Sequence, residues 1–468
     1  MSLQKELMKI YDKIPDGVRG KMAKISNAVP LELLYGKDYR EWKKFIQESQ
    51  YWSDEQKETY ELQQLRETLE CAYYHTEYYR KLFDDCGFDV STFRYKDQIE
   101  KIPYLTKKII QENLESMVNR QIPDKTYHYV TTGGSTGIPM GFYVMNSDKF
   151  KESAFVNYMW GMVGYRHTAK TAILRGAYLG DKGVYYQDGN RLYLSSYHMT
   201  DEQMEQQYHV LERYKPEYMH VYPSAIYILS DYVCRKHLSP ISSIKAVLTA
   251  SENLYQHQRE KIQDAFQCKV YDFYGHSEHA CMAGACECSD KYHLYWQYGF
   301  TELLNSQGGK AKKDGEIVEV VATTYNNAVM PLIRYRTMDL AEYAEGRCEC
   351  GRNYQLLNRI EGRLQELLVT SSGRHISMTA INMHDEVFDH VRQFQFYQDR
   401  VEECVLNIVK NEQYTEEDER SIYRKVKEKL GDELGLRIRY VDEIPKTKSG
   451  KYRFLIQKLP ITFENQEE

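Results

Sequence analysis

Within residues 56–85 the apolar positions Leu62, Leu65, Leu69, Ala72 and Tyr73 recur at three- and four-residue spacing. That period predicts a helical stretch with one apolar face turned to a core. From about residue 127 the pattern changes. Short apolar runs, "TAILRGAYLG", "EYMHVY", "IKAVLTAS" and "CKVYDFYG", alternate with longer helix-period segments such as "TDEQMEQQYHVLERY". Strands separated by helices imply crossover connections and a largely parallel sheet. "YHYV" reads as a strand ending near residue 131, and "DGEIVEVVATTYN" as a turn followed by a strand.

The last hundred residues follow a different rhythm. "VRQFQFYQD" and "ECVLNIV" predict two strands, "TEEDERSIYRKVKEKLGDELG" one helix, and "LRIRYVDEIP" a closing strand. Thr415 with Asp418 makes a capping-box-like start to that helix, and Gly435 stands where its C-terminal cap is expected. The pattern gives a large α/β unit over residues 1–362 and a small α+β unit over 363–468, with the junction inside "RIEGRLQE" (359–366).

Composition narrows the functional class. A chain of 468 residues exceeds one ordinary domain, and 42% hydrophobic residues suffice for a sizeable core. A net charge of −6 leaves no basic footprint for nucleic acid. The opening "MSLQKELMKIYDKIPDG" has no apolar run of signal-peptide length, and no segment approaches 18 uninterrupted apolar residues. A soluble cytoplasmic protein without membrane insertion is expected, and there thiols stay reduced. Cys71, Cys86, Cys234, Cys268 and Cys404 stand alone, as small core residues do. The other five crowd into "CMAGACEC" (Cys281, Cys286, Cys288) and "CECG" (Cys348, Cys350).

Residues 131–137 read "TTGGSTG". Glycine loses the most backbone freedom on folding, so this density implies close approach to a ligand or a sharp turn. Ile138 and Pro139 follow Gly137, which excludes a Walker loop, and no G-x-G-x-x-G fingerprint is present. What remains is either a nest of N–H and hydroxyl donors for phosphates or a flexible surface loop.

Four further motifs follow in order: "YDFYGHSEHA" (271–280), "PLIRYRTMDL" (331–340), "RIEGRLQELL" (359–368) and "PKTKSGKYR" (445–453). With the glycine-rich loop they resemble the ordered motif set of the adenylate-forming superfamily of acyl-CoA synthetases and adenylation domains. The likeness is strongest to its phenylacetate–CoA ligase and CapK-like capsule-biosynthesis branch. "YYRKLF", "YPSAIYILSDYV" and "TASENL" extend it over nearly the whole chain.

The resemblance implies a large N-terminal AMP-binding domain and a small mobile C-terminal domain, and it assigns roles. Thr131, Thr132, Gly133, Gly134, Ser135, Thr136 and Gly137 would hold ATP phosphates. In the second motif, Tyr274 and Gly275 would border the adenine, Ser277 keeps the hydroxyl of the usual Thr, and Glu278 would coordinate Mg²⁺ as a hard-oxygen ligand. Asp339 would accept the ribose hydroxyls, Arg363 would reach the nucleotide from the hinge, and Lys451 would face the α-phosphate and the attacking carboxylate. Met338 departs from the usual Gly or Arg before that Asp, and Gln365 and Glu366 stand where the hinge normally carries Asp. In part of this branch a Cys, a His and a later C-x-C hold a structural zinc. The matching set here is Cys286, His293, Cys348 and Cys350, with Cys288 in place of His293 as the alternative. The implied activity is ATP- and Mg²⁺-dependent formation of an acyl-adenylate from a small carboxylic acid. Transfer to coenzyme A would follow, or to an amine acceptor such as an amino sugar or amino acid. A non-catalytic scaffold is the reading of another class. A monomer or homodimer is expected.

Overall fold

The structure is a computed structural model that describes residues 29–131, 140–175, 183–196, 199–325, 327–363, 367–371, 375–377, 388, 390–445 and 453–459. At its centre are strands Arg191–Leu194, Thr171–Leu174, Tyr218–Val221, Ala246–Thr249 and Lys269–Gly275, side by side and parallel. All four residues of "AVLT" (246–249) are buried, as a parallel strand covered on both faces requires. Helices Asp201–Tyr214, Pro223–Arg235 and Gln256–Phe266 supply the crossovers, and Leu211, Ile226, Leu229 and Ile262 pack with Val247 and Val270 in one core. Thr200 and Gln203 form a full capping box at the start of the first of these helices.

The parallel expectation holds for this central section and stops at residue 275. The strands that extend the sheet to twelve among the described residues pair antiparallel: Met282–Gly284, Tyr292–Leu294, Gln355–Arg363, Tyr335–Ala344, Ile317–Thr324 and Gly299–Leu304 on one side, and Tyr185–Asp188 on the other. Their connections lack the crossover helix that parallel neighbours need. Tyr127–Thr131 and Gly141–Met145 form a separate antiparallel ribbon with Thr131 opposite Gly141. The N-terminal helical stretch divides into Asp54–His75 and Glu77–Cys86, because extended Thr76 caps the second helix through its hydroxyl.

The C-terminal residues build a four-stranded sheet in the order Gly435–Tyr440, Glu403–Lys410, Val391–Arg400, Leu455–Gln457. Helix Glu416–Leu430 covers it, with Ile422, Val426 and Leu430 in one core with Phe396, Leu406 and Ile408. The Thr415–Asp418 capping box is formed. The cap at the other end is Gly431, at φ 75°, and not Gly435. Gly435 opens the next strand, where a Cβ would lie 2.9 Å from the Glu402 carbonyl oxygen. Its glycine serves close strand approach. Tyr255, at the N-terminus of helix Gln256–Phe266, joins the C-terminal core edge-on to Phe454, ring centroids 5.4 Å apart. Among the described residues no helix is long and apolar enough to cross a membrane.

Candidate functional site

In open α/β sheets ligands bind outside the carboxyl ends of the parallel strands. Strand Lys269–Gly275 ends there, and Glu278 follows it, 5% exposed. The Tyr335 hydroxyl donates to its Oε1 at 2.8 Å, and His276 Nδ1 stands 3.4 Å from its Oε2, an ionic contact more than an aligned hydrogen bond. Burial pushes this carboxyl up, but His276, Lys107 and the Tyr335 hydroxyl outweigh it and hold it at about 2 against an ordinary 4.5. Glu278 is therefore an anion at neutral pH. The His276 side chain is 4% exposed, and both its ring nitrogens lack a hydrogen-bond partner among the described residues. A buried anion beside orphaned polar atoms is the chemistry expected where a cation or polar ligand completes the site.

Strand Tyr335–Ala344 brings a second group to this place. Tyr335, Thr337 and Asp339 stand two residues apart and are all buried, one face of the strand. Asp339 accepts from the Tyr274 hydroxyl at 2.7 Å, and its own N–H donates to Thr337 Oγ1 at 3.1 Å. Met338, between them, takes φ 65°, the left-handed region that glycine enters freely and methionine only under strain. Arg363 lies opposite Asp339 in the backbone register.

The clustered cysteines converge elsewhere on the same sheet. The ligand atoms of Cys286, His293, Cys348 and Cys350 all lie within 4.8 Å of one another. Cys286 and Cys348 sulfurs are 3.7 Å apart, and Cys350 Sγ is 3.3 Å from His293 Nε2. Zinc bonds of about 2.3 Å to sulfur and 2.0 Å to nitrogen, arranged as a tetrahedron, set these edges near 3.8 and 3.5 Å, so the donors fit that ion. His293 Nδ1 is 3.2 Å from the Lys291 carbonyl oxygen, which accepts a hydrogen bond from a proton on Nδ1 and so leaves Nε2 free to coordinate. Cys288 is exposed and contributes its backbone N–H to Cys286 Sγ (3.3 Å), and Cys281 is buried in a neighbouring core. The four atoms that meet include His293 and exclude Cys288. Arg352 and Glu287, joined at 2.8 and 3.0 Å, tie the two cysteine segments together outside the cluster.

A family model described as the CapK C-terminal domain matches residues 368–458. Protein CapK of Staphylococcus aureus is 24% identical across 96% of this chain and 99% of that relative. The phenylacetate-coenzyme A ligase of Escherichia coli strain K12 is 25% identical across 70% of this chain and 76% of its own length. A crystal structure of 2-hydroxyisobutyryl-CoA ligase in the postadenylation state matches with a TM-score of 0.69 at 18% identity, covering 88% of this chain and 91% of that one. In sequence and in fold the chain is similar to members of the adenylate-forming superfamily.

Of the superfamily motif residues picked from the sequence, Tyr274 and Asp339 touch directly, and Glu278 joins the same face through Tyr335. Gly275 and Ser277 are exposed beside them; a Cβ at Gly275 would meet nothing closer than 3.8 Å. Thr131 is exposed at the end of the ribbon. Thr132, Gly133, Gly134, Ser135, Thr136, Gly137, Gln365, Glu366 and Lys451 lie outside the described residues. Sequence reasoning passed over Tyr335, Thr337 and His276. The signal was available: all three sit inside the quoted motifs, and the alternation at 335, 337 and 339 marks the buried face.

Proposed function

We propose that this protein is an ATP-dependent, AMP-forming ligase that activates a carboxylic acid as its acyl-adenylate and passes the acyl group on. The observation that carries the reading is the meeting of Tyr274, Glu278, Tyr335 and Asp339, brought from two motifs about sixty residues apart to the carboxyl edge of the parallel strands. In the first step a carboxylate oxygen attacks the α-phosphorus, the bond to the β-phosphate oxygen breaks, and pyrophosphate leaves. Asp339, held by Tyr274 and Thr337, would accept the ribose hydroxyls. Glu278, kept anionic, would hold Mg²⁺; when bound, that ion neutralises charge building on the phosphates. Thr131 to Gly137 would cradle the phosphates, and Lys451 would face the α-phosphate, where negative charge crowds. In the second step a nucleophile adds to the adenylate carbonyl, AMP leaves with the C–O electrons, and the nucleophile's proton goes to solvent.

The thiol of coenzyme A is the first choice of nucleophile. An amine such as an amino sugar or amino acid is the alternative that the CapK-like motif resemblance implies. Cys286, His293, Cys348 and Cys350 would hold a structural zinc, and ten free thiols suit a reducing cytoplasm. Division at residues 362 and 363, with pivoting there, would bring Lys451 to the site and withdraw it. The test is carboxylate-dependent exchange of pyrophosphate into ATP over a panel of acids, followed by AMP release with coenzyme A or with amines. Exchange absent with every acid would overturn the reading.

A further inference from the structure

The same edge of the sheet carries a cation that the chemistry above does not use. Arg175 follows strand Thr171–Leu174, and its guanidinium reaches across the end of the neighbouring strand Tyr218–Val221. One nitrogen donates to His220 Nε2 at 2.5 Å and another to Ser251 Oγ at 3.1 Å, while the group lies 5.3 Å from the Tyr222 ring centroid. A histidine that accepts at Nε2 from an arginine is neutral. Burial, then the charges of Arg175 and Arg191, keep His220 in that form by driving its pKa well down.

Each described partner of Arg175 is thus uncharged. Some other partly buried arginines of this chain are matched differently. Arg334 pairs with Glu302, Arg336 with Glu319 and Arg352 with Glu287, whereas Arg191, like Arg175, meets uncharged groups, the carbonyl oxygens of His167 and Ala169. Glu252, next to Ser251, accepts the Ser224 N–H at the start of helix Pro223–Arg235. Arg175 uses two of its five N–H donors in the contacts above, and its charge has no carboxylate within ion-pair distance among the described residues. Beside it Trp160, 7% exposed and 4.6 Å from His220 between ring centroids, has an indole N–H with no partner among the described residues.

Position gives this cluster its meaning. Ser251 follows strand Ala246–Thr249, the immediate neighbour of the strand that carries Tyr274 and leads to Glu278. Sideways along the edge, the point where Arg175 meets Ser251 is about one strand spacing, roughly 5 Å, from that strand. A ligand bound across the carboxyl ends of these strands spans both places.

We propose that Arg175 determines substrate specificity by binding a second anionic group of the acid, so that the protein activates a dicarboxylic acid in preference to a monoanionic one. This rests on the adenylation reading. The planar fork of a guanidinium pairs with a carboxylate through two parallel hydrogen bonds, and Tyr222, His220 and Ser251 fix its plane without neutralising it.

The experiment compares kcat/KM in ATP–pyrophosphate exchange for matched acids: adipate against hexanoate, and 4-carboxyphenylacetate against phenylacetate. Charge-assisted hydrogen bonds of this kind give a preference for the dianion of roughly ten- to a hundredfold in at least one pair. Arg175→Gln should bring that ratio close to one, and Arg175→Lys, which keeps a charge without the fork, should retain part of it. A wild-type protein that uses the monoanions equally well or better in both pairs overturns the Arg175 assignment and leaves adenylation standing. So does Arg175→Gln lowering both acids of a pair equally, which would place the group on the reacting carboxylate or the nucleotide. If neither variant folds, by thermal melting, Arg175 is structural and the assignment is wrong. Exchange with no acid removes adenylation itself, and this assignment with it.

Discussion

Glu278 shows how a buried carboxylate is kept ionised. Its neighbours favour the ionised form so strongly that burial is overcome. A group whose folded pKa lies below its unfolded value contributes stability that is present above the unfolded pKa and lost as the pH falls through the folded one. For Glu278 that window runs from 4.5 down to about 2. Glu278→Gln removes the charge and keeps the shape, so it should lose less stability than the wild type on acidification from pH 5 to pH 3, read as a shift in melting temperature. The same variant should bind Mg²⁺-ATP roughly ten- to a hundredfold more weakly by calorimetry. Unchanged affinity would take Glu278 out of the metal-binding role. This residue was legible in the sequence because its motif stands in order with the others. Its partner Tyr335 was less so: a hydrogen bond between residues 57 apart in the chain leaves no local pattern, and only the strand alternation at 335, 337 and 339 hints at it.

At the scale of elements, strands are joined by buried polar clasps as well as by their ladders. Asp272, in strand Lys269–Gly275, accepts from Thr249 of the neighbouring strand at 2.5 Å and from Tyr292 beyond. Burial raises its carboxyl to about 6 from 3.8, despite those donors and Arg259. Here the sign is opposite to that of Glu278. The stabilising contribution is complete below pH 3.8 and is lost as the pH rises through 6, a swing of up to about 3 kcal/mol at 1.36 kcal/mol per pKa unit. Asp272→Asn should therefore gain in melting temperature relative to the wild type between pH 5 and pH 8. A difference that stays constant over that range would show that Asp272 does not titrate there.

The cysteine cluster is a second clasp, between segments 286–293 and 348–350. Purified protein should carry about one zinc per chain. Cys348→Ser should lower both the metal content and the melting temperature, since structural zinc contributes folding energy directly. Cys288→Ser should leave the metal content intact, because its sulfur is not among the four that meet. Equal zinc loss in both variants would favour the alternative ligand set. Elements were largely legible in periodicity, and the misses have local causes. The helix beginning at Glu416 ends at Gly431 because the sequence offered two glycines, and only packing against Glu402 reserves Gly435 for a strand. The antiparallel part of the sheet was misread because apolar runs look alike in either direction, and only connection length and hydrogen bonding decide.

For the whole molecule, the proposed function raises the question of how one site would perform two unlike reactions. In the large unit Tyr274 hydrogen-bonds Asp339, and Glu278 is held by Tyr335 of the same strand as Asp339, while the C-terminal sheet touches that unit through Phe454 against Tyr255, an aromatic contact outside any strand ladder. Lys451 lies outside the described residues, so its role is argued from its motif and from charge. If it serves adenylation alone, Lys451→Ala should lower carboxylate-dependent ATP–pyrophosphate exchange by roughly 10²–10³-fold, the loss typical of one preorganised electrostatic contact. Supplied with synthetic acyl-adenylate, the same variant should still transfer the acyl group, because Lys451 has turned away before the acceptor enters. Gln365→Pro should do the reverse: proline fixes φ where the backbone must change, slowing transfer while exchange survives. The pair of variants separates position from motion, since one removes a charge without stiffening the chain and the other stiffens it without touching the charge. Equal damage to both steps by Lys451→Ala, in protein that melts like the wild type, would mean that the small unit does not rotate between the two reactions.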